Sequence, residues 1–127
     1  MRIFNNEGQV IVFLHEVLRH KPGCFLQKIY LRFTSGFPDL VVGFDGMTVF
    51  YEVKPFRNDL SYSLKQFEPI QVATIKKMRA AGMDAHGLIV ESEETAWLVG
   101  PGTMGLDAQP LTDFRTRWHR HPCRLEP

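Results

Sequence analysis

Apolar residues recur at helical spacing from about Asn6 to His20 (Val10, Ile11, Leu14, Val17, Leu18), and Lys21-Pro22-Gly23 supplies a stop, so an amphipathic helix is predicted first. From Cys24 to Phe33 the pattern shifts towards alternation and reads as a strand, closed by Thr34-Ser35-Gly36. Two apolar runs follow, GFPDLVV and VFYEVK, and between them lies Asp45-Gly46, the strongest short signal for a two-residue hairpin turn. Pro55 to Ser63 is polar and irregular. A second helix then runs to about Ala81, with Gly82 as its C-terminal cap. Proline is at home in a first helical turn, so with Pro69 the helix begins near Glu68, or Leu64 to Phe67 form a separate turn ahead of it. Ala85 to Glu91 and Ala96 to Gly100 read as two more strands, and periodicity fades from Pro101. The order α-β-β-β-α-β(-β) predicts an α/β fold in which a mixed central sheet is flanked by helices. One domain is expected over residues 1–100, with 101–127 an irregular, basic C-terminal extension.

The hairpin carries chemistry. If its turn pairs Phe44 with Met47, counting outward sets Asp39 opposite Glu52, with their β-carbons roughly 4.5 to 5.5 Å apart. Lys54, two positions beyond Glu52, points the same way. A solvated ion-pair ladder is the plain alternative, and such surface pairs are nearly neutral in energy. The neighbours Leu40, Val41, Val42, Val49, Phe50, Tyr51 and Val53 instead describe strands buried on both faces. One lysine balances half the charge of two opposed carboxylates, and a divalent cation is the natural remedy for the rest.

Composition changes little in this picture. With 127 residues, 44% hydrophobic and 12% aromatic, the chain has enough apolar material for a single core. No run approaches the roughly 20 apolar residues of a membrane span, and MRIFNNEGQV lacks the order of a signal peptide, so a soluble cytoplasmic protein without a membrane partner is expected. Cys24 and Cys123 have no metal-ligand spacing and read as reduced thiols. A net charge of +1 is uninformative, because phosphate binding depends on local clustering of cations. Lys65, Lys76, Lys77 and Arg79 lie around the second helix and Arg57 follows the strand of Glu52 and Lys54, as a basic rim for phosphates or as a solvated helix face. From Phe114 to Arg124 arginines alternate with Phe114, Trp118, His119 and His121, a composition suited to stacking and backbone binding or, equally, to a packed or disordered terminus. His119, His121 and Cys123 lack a fourth ligand for zinc.

With Gly36, Pro38, Asp39, Glu52, Val53 and Lys54 in place, the chain resembles the PD-(D/E)xK nuclease superfamily. It is most similar to the small stand-alone VRR-NUC domains of phages and bacteria, which also show a Leu-Ser after the lysine and a helix carrying a glutamine. Here these are Leu60-Ser61 and Gln71, and the likeness runs from about Glu7 to Val90. The family's glutamine follows Leu-Ser more closely, so Gln66 competes with Gln71; Gln71 is preferred because it lies on the required helix, eleven positions before Gly82. The superfamily's first helix often adds a carboxylate, here Glu7 or Glu16. Glu7 shares the apolar side with Val10, Ile11 and Leu14, whereas Glu16 projects away, so Glu7 is preferred, its other reading being a first-turn acid favoured by the helix dipole.

The resemblance implies that Asp39, Glu52 and the main-chain carbonyl of Val53 hold Mg²⁺ or Mn²⁺, with Glu7 completing this shell or a second one. Lys54 would orient the nucleophile or stabilise charge on the phosphate. The expected activity is metal-dependent endonucleolytic hydrolysis of DNA, selective for branched or junction structures, with a homodimer needed for symmetric cutting. The alternatives are a catalytically silent nucleic-acid-binding or scaffolding module, and a sequence-specific restriction-type enzyme, for which so short a chain leaves little recognition apparatus.

Overall fold

The computed structural model describes residues 2–31 and 36–127. Helix α1 spans Glu7–Leu18, and the side chain of its N-cap Asn6 accepts a hydrogen bond from the Gln9 amide at 2.9 Å. Strands β1 (Phe25–Lys28), β2 (Leu40–Phe44) and β3 (Met47–Pro55) follow, then the short helix α2 (Leu60–Leu64) and α3 (Pro69–Ala80). Strands β4 (Asp84–Val90), β5 (Thr95–Gly102) and β6 (Gly105–Thr112) precede a closing helix, α4 (Phe114–Arg120). The six strands form one sheet in chain order, antiparallel throughout except for the parallel β3–β4 pair, which α2 and α3 connect.

The chain is therefore α/β, a mixed sheet with helices on both sides. On one face, Val10, Phe13 and Leu14 of α1 pack with Tyr51 and Val53 of β3 and with Phe114 and Trp118 of α4. On the other, Ile75 and Met78 of α3 meet Phe50 and Ala85. The Asp45-Gly46 turn forms as expected, both residues having the positive φ (55° and 75°) that a tight hairpin turn requires, and Phe44 pairs with Met47.

Three expectations are corrected. Strand β1 ends at Lys28 rather than Phe33: its ladder with β2 stops at the Lys28–Leu40 pair, beyond which the Ile29 amide still donates to the Asp39 carbonyl at 2.7 Å. Phe33 itself lies outside the described residues. Pro55 to Ser63 is not irregular throughout, since β3 extends to Pro55 and Asp59 caps α2 by accepting from the Tyr62 amide at 2.7 Å. Residues 101–127 are not an irregular extension either. They complete β5 and supply β6 and α4, with Leu111, Phe114, Trp118, Cys123 and Leu125 inside the main core. The Trp118 indole donates to the Leu14 carbonyl at 3.1 Å and the Tyr51 hydroxyl to the Pro122 carbonyl at 2.6 Å, so this segment is stitched to α1 and β3.

Candidate active site

The hairpin register delivers Asp39 and Glu52 to one place. The last β2–β3 pair is Leu40–Tyr51, and one step beyond it Asp39 and Glu52 face each other. There the Oδ2 of Asp39 accepts the Val53 amide proton at 2.9 Å, taking the position of a further ladder partner. In an extended strand a residue's N–H and C=O point to the same edge, so the Val53 carbonyl opens towards Asp39 as well.

Phe50, Glu52 and Lys54 alternate onto the α3 side of the sheet. The side chain of Glu52 is only 2% exposed, and Lys54, at 13%, sets its Nζ 3.3 Å from Glu52 Oε2. The wall above them is Phe67. Its ring lies over Gly87, the β4 residue registered against Glu52, and a β-carbon there would come within 2.6 Å of it. The glycine is thus a space requirement: it makes room for an aromatic ring beside the strand position of Glu52, and the Lys54 Nζ lies 5.9 Å from the centre of that ring.

Burial, with Asp39 beside it, pushes the Glu52 acid up to about 9, against the opposing pull of Lys54. Glu52 Oε1 is buried and has no hydrogen-bond partner. Two ionised carboxylates have no proton to exchange, so Oε1 is satisfied only when one acid keeps its proton or when a cation stands between them. Hard oxygen donors (Asp39, Glu52 and the Val53 carbonyl) suit Mg²⁺ or Mn²⁺, ions that retain several waters and take few carboxylates. Among the described residues no group of three or more His, Cys, Asp or Glu side chains is placed to hold a metal, so such an ion would rest on two carboxylates, a carbonyl and water.

Glu7 and Glu16 separate. Glu7, in the first turn of α1, is half-buried beside Asp39; burial and then Asp39 raise its acid, while Lys54 and Lys28 pull it back. Glu16 is exposed and paired with Arg2 at 2.9 Å. Both glutamines make local hydrogen bonds. Gln71 closes a capping box, its Oε1 accepting the Glu68 amide at 2.9 Å, and the Gln66 amide donates to the carbonyls of Pro55 (2.6 Å) and Ser63 (3.0 Å). Leu60 and Ser61 open α2. Gly36 has φ 82°, and a β-carbon there would lie 2.8 Å from the Ile70 carbonyl, so its role is a close approach of the Asp39 loop to α3.

The expected basic rim divides. Arg57, Lys65, Lys76 and Lys77 are exposed, whereas Arg79 is half-buried, donating to the Ala85 carbonyl at 2.8 Å and meeting His86 Nδ1 at 2.6 Å. Burial and the Arg79 charge hold His86 down to about 4, so it accepts from the guanidinium as a neutral ring. The site also contains a residue that sequence reasoning missed. Lys28, at the end of β1, lies over the Tyr30 ring with its Nζ 4.7 Å from the centroid; its ammonium is held above its ordinary value by a hydrogen bond with Tyr30 and by the charges of Glu7 and Asp39. Lysines from two strands, Lys28 and Lys54, thus interact with the carboxylates of this cluster. No protein-family model matches the chain, and no curated protein matches it.

Proposed function

We propose that this chain is a divalent-metal-dependent nuclease with a PD-(D/E)xK-like core, and that Asp39, Glu52 and Lys54 are its catalytic residues. The observation that carries this reading is the buried Glu52 carboxylate, with one oxygen lacking any partner, set against Asp39 and a nearly buried lysine. A structural ion-pair network would satisfy its own charges; this one is left short of positive charge. Held by Asp39, Glu52 and the Val53 carbonyl, Mg²⁺ or Mn²⁺ would supply charge neutralisation at a phosphate.

The chain's own groups then divide the work. Lys54, fixed by Glu52 Oε2 and packed near Phe67, donates to the phosphate oxygen on which charge develops or to the attacking water. Glu7, its acid raised by burial, is a stronger proton acceptor than a solvated carboxylate and sits beside Asp39 to take a proton from that water. Lys28 brings a second cation within charge reach of Glu7 and Asp39, available to a neighbouring phosphate. The substrate class is DNA with branched or junction structure, and symmetric cutting of a junction calls for a dimer.

The test is cleavage of matched linear duplex, flap and four-way-junction DNAs in Mg²⁺, in Mn²⁺ and in EDTA. Metal-dependent cutting with preference for a branched substrate is expected. Binding of every substrate with no cutting under either metal would favour the silent scaffolding reading instead.

A further inference from the structure

The sequence places aromatic and basic residues together between Phe114 and Arg124, and the structure sorts them. Phe114 and Trp118, four positions apart, are fully buried against α1 and β3, so they anchor α4 and are removed from any stacking role. What remains outward is cationic. A cavity of about 430 Å³ is lined by Lys21, Arg115, His119 and Arg120 together with Thr116. A second, of about 490 Å³, adjoins it through the shared Thr116 and Arg120, and continues past Arg117, His121 and Arg124. The two form one groove along α4, with Asp113 and Glu126 the only acids in its lining.

The groove is not a sample of a generally basic surface. Through Asp113 the chain carries eleven Lys and Arg against thirteen Asp and Glu, and after it four Arg against one Glu. Two of the arginines are committed to oxygen acceptors, Arg115 to Glu93 at 3.1 Å and Arg117 to the main-chain carbonyls of Thr112 and Glu126, while Arg124 meets only the Met47 sulfur at 3.5 Å and Lys21 only the Phe44 ring, 4.4 Å from its centre. Lys21, Arg120 and Arg124 make no ion pair among the described residues. Arg120 and Arg124 are also exposed, one at the junction of the two cavities and the other at the end of the groove.

We infer that the α4 groove is a binding surface for the phosphodiester backbone of a nucleic acid, separate from the carboxylate cluster. As a way of holding substrate away from the cut, it rests on the nuclease reading; as a polyanion site, it stands on the groove alone. Arginine forks bind phosphate oxygens bidentately, and unpaired guanidinium groups along a concave path suit a chain of phosphates. A lipid surface is a poorer fit, because the helix's large apolar side chains point into the core and leave none to insert.

The experiment is anisotropy titration of a labelled DNA duplex in EDTA, across a salt series, with the full chain and with Arg120→Glu/Arg124→Glu; thermal unfolding checks the fold, and Arg120→Gln/Arg124→Gln serves as a milder pair. The expected result is at least about a tenfold loss of affinity at low salt for the charge reversal, and a salt slope shallower by about two for either pair. Unchanged affinity and slope in both pairs would overturn the inference. So would binding to phosphatidylserine vesicles that the substitutions abolish while DNA binding persists. Because EDTA prevents turnover, the outcomes separate: loss of DNA binding in a protein that never cuts leaves the groove and removes the nuclease, and cutting with intact binding in both pairs does the reverse.

Discussion

Glu52 is the only charged side chain fully buried among the described residues, and its acid titrates near 9. The folded protein therefore keeps a proton on Glu52 over a range in which the unfolded chain has lost it. That stabilising contribution is fully present below the unfolded value of 4.5 and is lost as pH rises through about 9. In metal-free solution the melting temperature of the wild type should fall from about pH 5 to about pH 9 more steeply than that of Glu52→Gln, which should be the more stable of the two at the alkaline end. Parallel melting curves across that range would refute this assignment. Gly87 makes a second prediction at this scale. A methyl group there meets the Phe67 ring, so Gly87→Ala should cost roughly 1 to 3 kcal/mol in urea unfolding. The carboxylate pair was legible in the sequence because a two-residue turn fixes register and register fixes opposition. Lys28 was not, because its distance from Asp39 depends on the connection between β1 and β2, which carries no comparable turn signal.

At the level of elements, α3 begins at Pro69 as its proline suggests, and Gln71 hydrogen-bonds within the first turn of that helix. As half of a capping box, its replacement by alanine should lower stability by about 0.5 to 2 kcal/mol and leave cleavage by the folded protein unchanged. A loss of cleavage at wild-type stability would instead restore it to the site. Strand β6 and helix α4 escaped the sequence pattern for physical reasons. Pro101 and Gly102 lie beyond the last β4–β5 pair, Gly87–Val99, and Gly105 and Pro110 lie on the edge strand β6, so each has one neighbouring strand and is tolerated where a two-sided ladder would reject it. Helix α4 is seven residues long and buries only Phe114 and Trp118, too few positions to show a period. Both belong to the core all the same: Trp118→Ala should destabilise the whole domain by about 3 to 5 kcal/mol, whereas a dispensable tail would leave the unfolding midpoint where it is.

The molecule as a whole places the candidate site where three layers meet. Helix α1 brings Glu7 from one side, the β2–β3 hairpin brings Asp39, Glu52 and Lys54 through the sheet, and Phe67 at the entry to α3 closes the other side. No helix among the described residues is long and apolar enough to cross a membrane. The most direct test of the catalytic assignment is the single-turnover cleavage rate of junction DNA in Mn²⁺ by wild type, Asp39→Ala and Lys54→Ala, with DNA affinity measured in EDTA for each. The account predicts a rate lower by roughly a hundredfold or more in both variants at near wild-type affinity. Cleavage by either variant at the wild-type rate would contradict it.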